Sequence, residues 1–232
     1  MKNILYLFAL LLSLSSFGQD DYNEMIFEQI YLKVGRNNAK FITNYNNDSS
    51  FSGNSYELGV VLPTRNFDDK ISVTAAITLD EYDNAAIPIF GFFTLNDEAG
   101  FDVKDLRFLG FQGLAKYNFL DLNELISIPI KINIEGGLNL NHHIASGFKD
   151  ADDYTKQYYR GLFIKPIIGL NLQFQVNDHI TLESEYKLSY SYGLWNGISS
   201  DRDVAYFNFF NNDVDFNIVN HQIHFGIFVS LN

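Results

Sequence analysis

The stretch His221-Gln222-Ile223-His224-Phe225-Gly226-Ile227-Phe228-Val229-Ser230-Leu231-Asn232 decides the fold. From Ile223 onward every second residue is large and apolar, and the residues between them are mostly small or polar. A period of two predicts a β-strand with one apolar and one mixed face. Such a strand suits a closed barrel in a membrane, which leaves no edge unpaired and places the apolar face outside.

The composition agrees with strands rather than with membrane helices. The 232 residues carry a formal net charge of -12, and 47% are hydrophobic and 16% aromatic, yet the mean hydropathy is only -0.07. Alternating apolar and polar positions produce this combination. The absence of cysteine excludes disulfides and thiolate chemistry, and the acidic balance argues against nucleic acid as a partner.

The first residues have the pattern of a secretory signal peptide. Lys2 precedes an apolar run from Ile4 to Leu14, and Ser16-Phe17-Gly18 is a small-x-small cleavage site. The apolar run is too short to anchor the chain by spanning a bilayer. The sequence therefore predicts a signal peptide over residues 1–18 and one barrel domain over residues 19–232.

Eight alternating segments follow in the mature chain. Their predicted bounds are Ile26–Gly35, Ser55–Leu62, Lys70–Asp80, Leu106–Phe119, Ile128–Asn141, Phe163–Val176, Ile180–Gly193 and the stretch quoted first. The connections after strands two, four and six are short, and those after strands one, three, five and seven are long. This predicts an all-β fold, an eight-stranded antiparallel up-and-down transmembrane β-barrel with short periplasmic turns and long extracellular loops. A soluble ligand-binding barrel is the alternative, and it requires the apolar face to point inward.

The polar faces of the strands carry charges of both signs. With the apolar face outside, the inward set is Lys33, Glu57, Asp80, Lys116, Lys131, Glu135, Lys165, Glu183, Glu185 and Lys187. Eight strands enclose only enough space for packed side chains, so we expect a lumen charge network that closes the barrel with salt bridges. A gated path for protons or ions is the alternative.

His142-His143, with Ser146 nearby, is predicted at the junction of strand five and its loop. Nucleophilic hydrolysis needs a nucleophile, a base and an orienting acid. Adjacent histidines on a strand point to opposite faces, so at most one of them faces a site. Catalysis, metal binding and an exposed polar loop all remain open here, and no catalytic residue, metal ligand or cofactor is predicted.

The predicted loop from Glu81 to Asp105 has an apolar centre between acidic flanks. Ile89, Phe90, Phe92 and Phe93 lie in this centre and form a candidate partner-contact loop. The alternative is that strands three and four extend beyond the membrane as a hairpin covered by other loops.

Aromatic residues cluster near strand ends and predict interfacial girdles. The members are Tyr186, Tyr190, Tyr192 and Trp195 near the outer end of strand seven and Tyr117 and Phe119 near the inner end of strand four.

Three stretches resemble the outer-membrane β-barrel domain of Bacteroidetes, a porin-like family of small barrels that includes the PorT-like proteins. They are Leu32-Lys33-Val34-Gly35-Arg36-Asn37, Leu114-Ala115-Lys116-Tyr117-Asn118-Phe119 and Tyr190-Ser191-Tyr192-Gly193-Leu194. The resemblance implies a location in the cell outer membrane and, for some members, a part in type IX protein secretion.

The expected function is therefore non-enzymatic. The barrel would sit in outer-membrane lipid and present extracellular loops to other envelope proteins, among them a secretion apparatus. An outer-leaflet lipid-modifying hydrolase and a narrow channel are the two alternatives.

Overall fold

The computed structural model describes residues 27–43, 49–63, 70–87, 101–145, 158–199 and 216–231. Eight strands and one short helix make up this part of the chain. In order they are β1 (Gln29–Thr43), β2 (Ser49–Leu62), β3 (Ile71–Ile87), β4 (Phe101–Asp121), α1 (Leu122–Ile126), β5 (Ile130–Ala145), β6 (Tyr158–Gln175), β7 (Ile180–Ser199) and β8 (Phe216–Ser230).

The eight strands close into a barrel. Each strand pairs antiparallel with the next, and β8 pairs with β1 along its whole length, from Gln29 opposite Ser230 to Thr43 opposite Phe216. The backbone ladder therefore has no free edge, which satisfies every strand's hydrogen bonds without water. The predicted fold class is confirmed.

The apolar face of each strand points outward. Phe111, Ile168 and Phe225 are 66%, 59% and 63% exposed, whereas Lys33, Lys187 and the other inward charges are buried. A barrel in water would place these two faces the other way round. The soluble alternative is therefore wrong, and the exposed apolar wall is one that only lipid hydrocarbon covers at low cost.

Short connections join the strands at one end of the barrel. Residues 63–70 link β2 to β3, α1 and the residues after it link β4 to β5, and residues 176–179 link β6 to β7. Asp121 caps α1 by accepting a hydrogen bond from the Asn123 N–H at 2.9 Å. At the opposite end, β1 and β2 are both longer than predicted, so residues 44–48 alone connect them and the long connection predicted there is short. The connections of residues 88–100, 146–157 and 200–215 are long, as predicted. The residues of these four connections lie outside the described residues, as do residues 1–26 and 64–69.

The strands run further toward the long-loop end than the sequence pattern predicts. β3 continues to Ile87 and β4 begins at Phe101, inside the predicted loop, and β1 continues past Arg36 to Thr43. In the β1 extension the described outward positions are polar, as at Arg36 and Asn38, so the apolar alternation stops there although the backbone pairing continues. The part of the predicted partner-contact loop that holds Ile89, Phe90, Phe92 and Phe93 lies outside the described residues.

The aromatic girdle is only partly as predicted. Tyr190 and Tyr192 face outward toward the long-loop end of β7, and Tyr117 and Phe119 face outward near the short-turn end of β4. Tyr186, which the sequence pattern places beside them, lies lower on β7, opposite Leu170 and Ile223. The side chain of Trp195 is outside the described part of the chain. Among the described residues, no helix combines the length and the apolar character needed to cross a bilayer.

Because the ladder is closed, we expect the folded protein to resist mild heating in detergent and to migrate differently on a gel before and after boiling. Circular dichroism of the same sample should show strand rather than helix. Identical migration with a helical spectrum would contradict the barrel.

Ile168 lies midway along the apolar run of β6 that extends from Leu162 to Phe174. An Arg at this depth is expected to lower the free energy of unfolding by about 2–4 kcal/mol, whereas an Arg near the interface costs about 0–1 kcal/mol. The variants Ile168→Arg and Phe174→Arg, unfolded in urea from the same lipid, measure the difference. Equal costs would show that the wall does not face hydrocarbon.

Candidate functional site

A network of buried charges fills the middle of the lumen, and Lys33 on β1 is at its centre. Its Nζ lies 2.5 Å from Glu183 Oε1 and 4.0 Å from Glu57 Oε2, and it also donates to Glu185. The lysine side chain is buried, as are all three carboxylates. One ammonium group therefore joins β1 to β2 and β7 through the barrel interior.

Lys187 on β7 binds two of the same carboxylates from the other side. Its Nζ lies 2.5 Å from Glu57 Oε1 and 2.6 Å from Glu185 Oε1. His224 on β8 completes this group, with Nδ1 3.2 Å from Glu185 Oε1 and 3.8 Å from Glu57 Oε1. Glu57 and Glu185 thus each contact both lysines, and neither can be removed without affecting both.

Two further groups extend the network along the barrel axis. Toward the short turns, Lys116 lies 2.8 Å from Glu183 Oε2 and 3.7 Å from Glu135 Oε2. Toward the long loops, Lys165 lies 2.9 Å from Asp80 Oδ2. The other Asp80 oxygen accepts hydrogen bonds from Ser55 at 2.6 Å, Gln222 at 3.0 Å and Asn37 at 3.3 Å.

The structure brings together all but one of the charged residues predicted for the lumen. The buried members are Lys33, Glu57, Asp80, Lys116, Glu135, Lys165, Glu183, Glu185 and Lys187. Lys131 does not join them. Its side chain is 47% exposed at the short-turn end and lies 3.4 Å from Asp121 Oδ2. The alternation alone does not reveal this, because Lys131 is in phase with Glu135 and only its distance from the barrel mouth separates the two.

Asp121 and Lys131, at the short-turn end, differ from the buried pairs in environment because Lys131 is exposed and Asp121 is only half-buried. The slight burial of Asp121 acts to raise its pKa, but the hydrogen bond from the Asn123 N–H and the charge of Lys131 outweigh it, so the pKa lies below its usual value. Such a pair contributes little to stability because water screens it.

Several uncharged partners of the network are not singled out by the sequence analysis. Asn171 donates to Glu135 Oε2 at 3.0 Å, Gln112 to Glu57 Oε2 at 3.2 Å and Gln173 to Glu183 Oε2 at 2.8 Å. Their inward phase on β4 and β6 is the signal that could have found them. They donate hydrogen bonds to carboxylate oxygens that also face Lys33 or Lys116, and such added bonds support a buried ionic network.

Apolar and aromatic layers cover the network at both ends. Toward the short turns, Tyr31 and Phe228 stack with ring centroids 4.6 Å apart and pack with Val61 and Ala76. Toward the long loops lie edge-to-face contacts in which Tyr82 meets Phe51 and Phe108, and Phe108 meets Phe163. The charges are therefore enclosed between two layers of low polarity.

Glycine positions make room for the long inward side chains. A Cβ on Gly226 would lie 2.7 Å from Lys33 Cγ, and a Cβ on Gly35 would lie 2.2 Å from the Ile223 carbonyl oxygen and 2.3 Å from His224 Cδ2. Eight strands enclose little space, so a side chain that crosses the lumen needs a bare backbone opposite it.

The two adjacent histidines lie within β5 and not at its junction with a loop. His142 faces outward and is exposed, whereas His143 faces inward, is buried and packs edge-on against Phe108 with ring centroids 5.6 Å apart. Ser146 lies outside the described residues. The two rings are thus on opposite sides of the barrel wall, and the expectation that at most one faces a site agrees with this placement.

Two groups of buried ligand-type side chains come close enough to share a cation. They are Glu57, Glu185 and His224, and Glu135, Glu183 and Glu185. In both, lysine ammonium groups already lie between the carboxylates, Lys187 in the first and Lys33 and Lys116 in the second. A metal ion would have to displace these buried ammonium groups from their carboxylates, so the arrangement fits ion pairs better than a metal.

The fold and the filled lumen define the class of protein, a small transmembrane β-barrel with a closed interior. No model of a known protein family matches the chain, and no curated protein matches its sequence.

Solved structures of similar fold include Neisserial surface protein A, which is 13% identical, with a TM-score of 0.47 over 87% of this chain and 97% of that one. A major outer membrane protein from Thermus thermophilus is 11% identical, with a TM-score of 0.49 over 85% and 99%. The outer membrane protein OprG from Pseudomonas aeruginosa is 8% identical, with a TM-score of 0.44 over 91% and 100%.

Glu185 is the acceptor shared by Lys33, Lys187 and His224. Glu185→Gln should lower the free energy of unfolding by about 3–5 kcal/mol, because it leaves buried ammonium charge uncompensated. Lys131→Gln, which breaks the exposed pair, should cost about 0–1 kcal/mol. Urea unfolding of both variants in the same lipid provides the measurement, and similar costs would show that the lumen network is solvated.

Gly35→Ala places a methyl group against backbone and the His224 ring, so we expect a loss of about 1–3 kcal/mol. The matched control is Gly113→Ala on the outer face of β4, where a Cβ meets nothing within 4 Å. There the stability should be unchanged or raised by up to about 1 kcal/mol. A tolerated Gly35→Ala together with a harmful Gly113→Ala would reverse our assignment of the two faces.

Proposed function

We propose that this protein is an outer-membrane barrel that anchors extracellular loops for contact with other envelope proteins. The observation that carries the proposal is the filled lumen, in which Lys33, Lys187 and Glu185 are fully buried between apolar layers. A lumen occupied in this way leaves the ends of the barrel as the places where it can act.

The enclosed network argues against the channel alternative. Ion conduction needs sites that an ion can enter and leave. Here each described lumen carboxylate has a lysine or hydrogen-bonding side chain within reach, as Asp80 has Lys165 and Glu183 has Lys116. Opening a path would require breaking several buried ion pairs at once, each at a cost of a few kcal/mol.

The two ends of the barrel differ in what they offer to a partner. The short-turn end has short connections such as α1, whereas the three long connections, residues 88–100, 146–157 and 200–215, all lie at the opposite end. The one between β3 and β4 contains Phe90, Phe92 and Phe93. Apolar aromatic side chains with an acidic surround are suited to a protein interface.

The location and the partner are also proposals. A closed barrel with an apolar wall is the form in which strands cross a membrane, and such barrels belong to outer membranes. The resemblance of Leu32–Asn37 and Leu114–Phe119 to the Bacteroidetes barrel domain supports an envelope of that phylum and a PorT-like relationship. On this basis a type IX secretion apparatus is the partner we would test first.

The hydrolase alternative remains a prediction. His143 has its ring inside the barrel against Phe108, and His142 has its ring on the outer wall. Ser146, the candidate nucleophile, lies outside the described residues. A deletion strain with unchanged lipid composition would argue against this alternative.

The filled lumen predicts that the purified protein, inserted into a planar bilayer, conducts no ions. Glu185→Gln serves as the comparison, because loosening the network is expected to raise any leak. Steady single-channel currents from the unaltered protein would contradict the proposal of a closed anchor.

The loop proposal predicts a selective loss of partners. Replacing Phe90, Phe92 and Phe93 with Ser should leave the gel mobility shift intact but remove proteins that co-purify after cross-linking in membranes. The matched control replaces Phe207, Phe209 and Phe210, which form the same F-x-F-F pattern before β8. If the first variant folds and keeps every partner, this loop is not the interface.

A further inference from the structure

The apolar wall of the barrel is not equally tall on all sides. On β6 the outward apolar residues run from Phe174 to Leu162, which is twelve residue steps along the strand. At about 3.3 Å per residue and a strand tilt of about 40°, this run spans roughly 30 Å of membrane. On β1 the last outward apolar residue with a described side chain is Val34, five steps from the strand start at Gln29, which spans roughly 13 Å. β2 and β8 are also short, since their apolar runs end at Tyr56 and Ile223.

Polar side chains occupy the wall above this shortened region. Arg36 follows Val34 on the outer face of β1, beside Asn54 on β2, and its Nη1 donates to Asn54 Oδ1 at 3.3 Å. His221 on β8 is exposed, and its Nδ1 lies 2.6 Å from the Tyr186 hydroxyl. We call this polar region the β8–β1–β2 notch, and its members are Arg36, Asn38, Lys40, Asn54 and His221.

The notch contains cations and neutral donors but no acid among its described outward side chains. The complete described set above the apolar run is Arg36, Asn38, Lys40, Ser50, Ser52, Asn54, Asn217, Val219 and His221. This contrasts with the whole chain, in which 28 acidic residues outnumber 16 basic ones. On the neighbouring strand, the described outward carboxylate is Glu81, which lies opposite Asn54 and is paired with Arg107 at 3.2 Å. The described outward side chains of the notch thus carry a net positive charge.

A groove lies in the same part of the barrel's outer surface. It has a volume of about 340 Å³ and is lined by Asn38, Ala39, Lys40, Ser50, Phe51, Ser52 and His221. Hydroxyl, amide and cationic groups together are the donors that bind phosphate oxygens. Below them, Val34 and Ile223 present the apolar surface that lies against acyl chains.

We propose that the β8–β1–β2 notch binds the anionic phosphate headgroup of a membrane lipid. Its acyl chains lie along Val34, Ile223 and Phe225, and its phosphate reaches Arg36 and the groove above. When the Tyr186 hydroxyl donates to His221 Nδ1, the ring proton is on Nε2, which is then a further donor. A lipid satisfies both parts of the surface, because it alone combines a phosphate with hydrocarbon at this depth.

The test is native mass spectrometry of the full barrel in detergent with equal amounts of phosphatidylglycerol and phosphatidylcholine of the same acyl chains. The unaltered protein should retain phosphatidylglycerol in preference. Arg36→Gln should lower that preference about fivefold, which is the effect of one cation near an anionic lipid surface. The gel mobility shift confirms that each variant is folded.

Lys131→Gln is the control, because it removes one positive charge from the opposite, short-turn end of the barrel, where Lys131 lies 3.4 Å from Asp121 Oδ2. It should leave the lipid preference unchanged. Excess inorganic phosphate should not displace the lipid, because the acyl contacts are part of the site.

Four results would overturn the proposal. They are no preference for phosphatidylglycerol in the unaltered protein, an equal loss in Arg36→Gln and Lys131→Gln, displacement by inorganic phosphate, and a dimer that Arg36→Gln dissociates without changing lipid retention. The last result would assign the notch to a second copy of the chain. The proposal does not depend on the partner-contact loop, so loss of protein partners in the Phe-to-Ser variant would not affect it.

Discussion

The pairing of Lys33 and Lys187 with Glu57, Glu183 and Glu185 is the interaction on which the rest of the barrel depends. Charges out of contact with water persist only if each one is matched and its remaining hydrogen bonds are satisfied. The described buried set contains four lysines, five carboxylates and His224. Because these partners come from β1, β2, β7 and β8, the network joins the first and last strands from the inside while the backbone ladder joins them in the wall.

The interior determines what the exterior must be. Successive side chains of a strand point to opposite faces, so a polar face in the lumen places the apolar face on the outside. The resulting wall is costly in water, so lipid is part of the folded state's environment. Because the apolar wall is not equally tall around the barrel, the lipid in contact with it differs from one side to another. Polar residues on β8, β1 and β2 lie at depths where β6 and β7 are still apolar.

A closed barrel separates stability from activity. The middle of the molecule, sealed by Tyr31 and Phe228 below and by Tyr82 and Phe108 above, is rigid and occupied. Contacts with other molecules are then left to the long connections at one end of the barrel and to the lipid-facing wall. The proposed partner contact uses the long connections and the proposed lipid contact uses the wall, and both leave the ion-pair network intact.

The sequence by itself determined the number of strands, their up-and-down order, the long connections after β3, β5 and β7 and which residues face inward. All of these follow from a period-two pattern that each strand carries locally. The tertiary structure decided what depends on distance along the barrel axis and around it. Lys131 and Glu135 share a phase, yet only Glu135 is deep enough to be buried. Tyr186 lies below the predicted girdle and bonds to His221, because strand register sets its height. The strand extensions past Arg36 and into the predicted loop at Ile87 were not visible, since backbone pairing leaves no mark on the side-chain pattern. The partners of each carboxylate likewise come from strands distant in sequence, and only closure of the barrel brings them together.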